Sequence, residues 1–298
     1  MRTPVKLGVF AAGLVAVFGA AWGVGGAMNA VGSPGVTSSP ASSHGHDHGA
    51  HGGQAVTGAP GGLEITRDGF TIEPERTVFT PGETADFRFT ISGFHGMPIT
   101  GYEELHEKRL HLIVVSRDLS EFLHLHPELG EGGVWSVPLT LPRAGTYRAF
   151  ADFAPYGVAP MTLGVDLWAG GDFEPEPLPE PGRVARVGDY TVTMMGDLVP
   201  GRSSKVTMFV TRDGRPVTDL EPYLGAHGHL VALRAGDLAY LHVHPEEARD
   251  GAAAGPGVTF HAEVPSAGIY RLFLDFKHDG RVRTAALTAR TRYAAHSH

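Results

Sequence analysis

The chain writes one plan twice. Leu123-His124-Leu125-His126-Pro127-Glu128 returns as Leu241-His242-Val243-His244-Pro245-Glu246 at an offset of 118, and Gly96-Met97-Pro98-Ile99-Thr100 returns as Gly214-Arg215-Pro216-Val217-Thr218 at the same offset. After an insertion of five residues, Ala144-Gly145-Thr146-Tyr147-Arg148-Ala149-Phe150-Ala151-Asp152-Phe153 returns as Ala267-Gly268-Ile269-Tyr270-Arg271-Leu272-Phe273-Leu274-Asp275-Phe276. Correspondence this extended marks a duplicated domain. The fold is therefore one that roughly 100 residues can complete and that can be set down twice.

Within each copy apolar and polar residues alternate over short runs, as in Thr84-Ala85-Asp86-Phe87-Arg88-Phe89-Thr90-Ile91 and Ser204-Lys205-Val206-Thr207-Met208-Phe209-Val210. A period of two with Gly, Pro and Asp punctuation predicts strands, and no helical period of useful length competes with it. The phrase Ala-Gly-x-Tyr-Arg opening a late strand in each copy has the form of a tyrosine corner, whose hydroxyl bonds back to the backbone. The expectation is an all-β chain of two tandem Ig-like or cupredoxin-like β-sandwich domains with about seven strands each.

Histidine is the residue the two copies retain. Only about a third of the positions aligned with Gly96 to Pro127 are identical, yet His111, His124 and His126 all recur, as His229, His242 and His244. Side chains at i and i+2 of a strand share a face, and the five-residue turns Ser116 to Ser120 and Arg234 to Leu238 predict hairpins that bring His111 and His229 opposite those pairs. Imidazole is the commonest neutral nitrogen ligand of divalent transition ions, so the pattern predicts a duplicated metal site. The competing reading is histidines packed on a half-exposed sheet. His227 adds a further H-x-H in the second copy, where the first has Arg109.

Auxiliary ligands are proposed at Glu128, Glu246, Asp152, Asp275 and His278, as oxygen or nitrogen donors or as acceptors that orient an imidazole. Solvated turn carboxylates and ion pairs are the alternatives. Met161, Met194, Met195 and Met208 suit a soft Cu(I) ion by type, but methionine on a strand is usually core. His95, His106 and His261 have no counterpart in the other copy and read as surface residues.

Composition narrows the partners. There is no cysteine, which excludes thiolate sites and disulfides, and the net charge of -8 with no basic run excludes a nucleic-acid footprint. A short basic segment, Met1 to Lys6, followed by an uncharged apolar run to about Met28, predicts a signal peptide or a single transmembrane anchor helix. The predicted organisation is that segment at 1–28, a disordered Gly/Ser/His-rich tether at 29–62, the first sandwich at 63–171, a Pro/Glu-rich linker at 172–182, the second sandwich at 183–294 and a His-containing tail at 295–298. Within the tether His44, His46, His48 and His51 form a tract suited to metal capture.

At Leu110-His111-Leu112-Ile113-Val114-Val115-Ser116, His124-Leu125-His126-Pro127 and Gly145-Thr146-Tyr147-Arg148-Ala149-Phe150-Ala151-Asp152-Phe153, the chain resembles a group of secreted or periplasmic bacterial proteins of actinobacterial type, often described as heavy-metal-binding or copper-associated. The resemblance implies an exported Ig-like sandwich that handles metal, with no established enzymatic activity. Three functions follow as expectations. The first is an extracytoplasmic copper-binding protein, zinc or nickel being the alternative ions, that sequesters metal or delivers it to another exported protein. The second is a metal-free module for envelope interaction with structural histidines. The third is a metalloenzyme, since three histidines with an open position can activate water; against it, no catalytic triad or nucleotide fingerprint is present.

Overall fold

Residues that alternate in polarity form the strands, and those that do not alternate turn out to be buried on both faces. In the computed structural model, which describes residues 60–241, 243–246 and 254–292, the first copy pairs β1 (Thr66–Arg67), β2 (Phe70–Pro74), β4 (Thr84–Ser92), β8 (Val134–Thr140) and β7 (Glu128–Leu129) into one sheet. Its second sheet has the order β3 (Val78–Phe79), β10 (Met161–Ala169), β9 (Gly145–Phe153), β5 (Leu110–Ser116), β6 (Phe122–Leu125). The second copy repeats the plan. One sheet runs β11 (Val184–Val187), β12 (Tyr190–Met195), β13 (Arg202–Arg212), β18 (Gly257–Val264), β17 (Val243–Pro245), with β14 (Arg215–Pro216) beside β13. The other runs β16 (Tyr240–Leu241), β15 (His229–Arg234), β19 (Ile269–His278), β20 (Arg281–Arg290). The chain is all-β, two sandwiches of the Ig-like class.

Each sandwich closes over its own core. Phe87, Phe89, Trp135, Tyr147 and Phe153 lie in the first and Tyr190, Phe260, Tyr270 and Phe276 in the second, all but inaccessible to water. Both tyrosine corners form: Tyr147 donates its hydroxyl hydrogen to the Arg143 carbonyl at 2.9 Å, and Tyr270 donates to the Ser266 carbonyl at 2.9 Å.

A third apolar cluster joins the copies. Leu110, Leu112 and Val114 point into the first core, while Ile113 and Val115 on the other face of β5 pack with Phe150, Val231, Leu233, Leu238 and Phe273. The two β5-type sheets thus lie back to back. Equivalent residues serve on both sides: Phe122 stacks on Phe273 at 4.1 Å and 9°, and their counterparts Tyr240 and Phe150 meet at 5.5 Å. The linker contributes Leu178 to the rim of this cluster.

Gly61 bridges to Tyr240 and the Gly62 N–H donates to the Thr162 carbonyl at 2.9 Å, so the end of the expected tether is part of the fold. At Gly62 (φ 74°) a β-carbon would lie 2.3 Å from the Phe150 ring, which restricts the position to glycine. The expected signal or anchor at 1–28, the tract with His44, His46, His48 and His51, the residue His242 and the tail at 295–298 lie outside the described residues. Among the described residues no helix is long and apolar enough to cross a membrane.

Candidate metal centre

Parity along β5 decides which residues face the joint between the copies. His111, Ile113 and Val115 share that face, and the hairpin register, Ile113 opposite His124, sets His124 on the same face with His126 beyond it. Pro127 lacks an N–H, and the edge strand leaves its sheet there to re-form as β7 against β8. His126 therefore stands at the crossover beside His111. The ring centroids are 5.3 Å apart for His111 and His124, 5.1 Å for His111 and His126, and 4.8 Å for His124 and His126. Rings bound to one tetrahedral ion at a metal–nitrogen distance of about 2.0–2.1 Å have centroids roughly 5 Å apart. One ring nitrogen from each of the three lies within 4.8 Å of the others.

Hydrogen bonds fix where the lone pairs go. A carbonyl only accepts, so His111, whose Nε2 is 2.9 Å from the Leu105 oxygen, carries its hydrogen on Nε2 and offers a bare Nδ1. His124 Nδ1 stands 2.7 Å from Oδ2 of Asp275, a residue of the second copy, and donates to it. The free Nε2 of His124 then faces His111 Nδ1 at 3.1 Å. Two lone pairs hold that separation only with a cation between them, either a proton on His124 or a metal ion. The Nε2 of His126 is buried with no hydrogen-bond partner among the described residues, and a buried unsatisfied nitrogen is costly unless something is to be bound there. Asp275, held in turn by the Thr284 hydroxyl, completes a carboxylate–histidine arrangement of the kind that orients metal ligands.

Burial favours the neutral, ligand-competent form of His111, His126 and His229. It pushes the His111 imidazole down to about 3 and the His126 and His229 imidazoles to about 4, with the neighbouring histidines acting in the same direction.

In the second copy His229 and His244 stand on different sheets. His229 is buried and its Nε2–H donates to the Tyr223 carbonyl at 2.7 Å, the counterpart of the His111 bond to Leu105. It turns toward the first copy's trio, 6.4 Å from the His111 ring and 6.3 Å from that of His124. The edge strand of the second copy changes sheets earlier. β16 ends at Leu241, and His244 is already in β17, exposed and paired with His261 of β18. Among the described residues, which leave out His242, the three-histidine group is that of the first copy. His227, half-buried on the bend before β15, lies outside that group.

Other candidates separate by face. His278 shares parity with Leu274 and Phe276 and points to the second core's side, accepting from the Tyr190 hydroxyl at 2.7 Å and donating to Asp219 at 3.1 Å; the pleat removes it from the centre. Asp152 faces the joint but accepts from Thr162 at 3.0 Å, and burial pushes its carboxyl up to about 6. Glu128 is exposed on β7, and Glu246 forms an ion pair with Lys205 at 2.9 Å; neither enters the trio. Met161, Met194 and Met208 are core and Met195 is exposed. His106, read as a surface residue, is exposed yet sits 5.5 Å from the His229 ring and 6.2 Å from that of His111. Its only sequence signal is its place five residues before His111.

Fold and site together define a tandem Ig-like sandwich with an imidazole cluster in the joint between its repeats. The chain belongs to the family named Domain of unknown function (DUF8832), whose profile matches it twice, over residues 65–165 and 185–292. No curated protein matches it by sequence. Among solved structures it is similar to the Escherichia coli adhesin FdeC, at 13% identity over 76% of this chain and 65% of that one, with a TM-score of 0.25. Salmonella alpha-2-macroglobulin aligns at 15% identity over 80% of this chain and 15% of its own, with a TM-score of 0.26. The Yersinia pseudotuberculosis adhesin InvE aligns at 13% identity over 76% and 60%, with a TM-score of 0.22. The chain spans less than two thirds of the length of each.

Proposed function

We propose that this protein binds a late first-row transition ion outside the cytoplasm, copper first, zinc or nickel second, to sequester it or deliver it to another exported protein. One observation carries the reading: the bare nitrogens of His111 and His124 face each other at 3.1 Å, each fixed by an acceptor on its opposite nitrogen. The buried, unpartnered His126 Nε2 supports it. An all-nitrogen donor set without thiolate favours Cu(II) by ligand type and by the affinity order of the divalent ions. Export rests on the apolar N-terminal run and on the resemblance to secreted or periplasmic copper-associated proteins.

A second reading has its own observation. With a proton in the 3.1 Å gap, His111, His124 and Asp275 form a hydrogen-bonded chain between the repeats, and the protein is a metal-free envelope module.

The test uses the full chain with alanine at His44, His46, His48, His51, His296 and His298, since exposed tract and tail imidazoles collect metal whatever the fold does. It is mixed with equimolar Cu(II), Zn(II) and Ni(II), desalted and assayed for metal by mass spectrometry. About one equivalent of one ion, lost when His111 and His124 are also replaced by alanine, supports the centre and names its metal. Less than about a tenth of an equivalent leaves the metal-free module.

A further inference from the structure

The turn that precedes β5 is strained at the residues facing the joint. Leu105 and Lys108 exchange both backbone hydrogen bonds, 2.7 and 3.1 Å, around His106 (φ 50°) and Glu107 (φ 63°). Two consecutive left-handed residues suit Asn-Gly, and branched or long side chains there are costly. The counterpart turn, Tyr223 to Ala226, uses Leu224 and Gly225, and the two turns abut, with Glu107 3.7 Å from where a Gly225 β-carbon would stand. This backbone holds the imidazole of His106 at the mouth of the joint.

Its neighbour is His229. The two rings lie 5.5 Å apart, close to the 4.8 to 5.3 Å found within the trio, and the Tyr223 carbonyl leaves His229 Nδ1 as a free donor to an ion. His229 borders the trio on its other side. Exposure falls in the same order, from the exposed His106 to His229 at 8% and His111 at 6%.

We infer that His106 and His229 form a second, outer coordination position for the same class of divalent ion, through which metal passes by ligand exchange to the buried trio. The inference rests on the metal reading of the trio. The outer position has two protein nitrogens and water for the rest, so it binds weakly and exchanges quickly. It also spans the repeats, His106 from the first and His229 from the second.

The experiment uses the full chain with the tract and tail histidines replaced as above. Loading is followed by stopped-flow absorbance after mixing with Cu(II), and equivalents are counted by calorimetric titration. His106→Gly deletes the imidazole while suiting the left-handed backbone, so the fold is kept; Glu107→Gly relieves the same turn and retains the imidazole. The expected result is a weak second equivalent and fast loading in the parent and in E107G, and in H106G loss of that equivalent with loading slowed at least about tenfold and the tight equivalent intact. Parent-like loading and two equivalents in H106G, or slowed loading in E107G as well, overturn the outer position while the trio stands. Failure of the parent to bind any tight equivalent overturns both.

Discussion

One hydrogen bond, His124 to Asp275, ties the candidate centre to the second repeat, and its removal separates orientation from charge. Asp275→Asn keeps the shape and accepts less strongly, so metal affinity falls about 10- to 100-fold, read by competition with a chromogenic chelator. An unchanged affinity would show that Asp275 does not orient the ligand. The pH dependence follows from the buried rings. His111, His126 and His229 bind protons in the unfolded chain at about 6.5 and in the folded one only near 3 to 4, so over that interval the unfolded state holds more protons. Their contribution to stability is present in full above about pH 6.5 and is lost as pH falls toward 4. Urea unfolding of the metal-free protein at stepped pH checks this; a flat midpoint from pH 7 to 4.5 contradicts it. At this scale the sequence was most informative about the trio, because side-chain parity is local. His106 was invisible, since its role depends on a partner 123 residues away.

Among elements, β5 and β15 carry the most information, and it was only half legible. Alternation identified β4 and β13, and the repeated tyrosine located the corner that opens β9 and β19. The unbroken apolar runs Leu112 to Val115 and Leu230 to Leu233 signal strands covered on both faces, but what covers the outer face is a long-range contact that no periodicity encodes. The sheet switch of the edge strands was equally hidden. It occurs near Pro127 in one copy and before Val243 in the other, and that small difference removes His244 from the ladder of His229. Two substitutions measure the joint. Phe273→Ala removes one partner of the stacked pair and leaves a cavity between the sheets, costing about 3–5 kcal/mol in chemical denaturation. Tyr147→Phe deletes the hydroxyl's bonds with the Arg143 carbonyl and N–H, at about 1 kcal/mol each. A loss at Phe273 no larger than that at Tyr147 would mean the sheets are not packed as described.

For the molecule as a whole, the repeats share a core as well as a chain. Ligand that binds the native state alone stabilises it by about 2.7 kcal/mol at a hundredfold excess over Kd. Because the centre uses residues of both repeats, that gain belongs to both, and calorimetry with saturating metal should move the entire unfolding profile upward in temperature together. A shift confined to part of the profile would show that the Asp275 bond does not couple the second repeat to the site. The two-domain plan was readable from the duplication, whereas the back-to-back joint was not, since a repeat in sequence does not state how its copies meet.

The back-to-back joint pairs equivalent faces as a two-fold dimer would, yet its halves are built from different residues. In a true dimer every change appears on both sides of the axis at once. Here His106 faces a copy that has Leu224 in its place, and Arg109 answers to His227. Covalent fusion lets each half drift alone, so on the proposed reading the first half holds the trio while the second contributes Asp275 and His229. Duplication in this chain has thus left two halves of one plan with different residues at the joint.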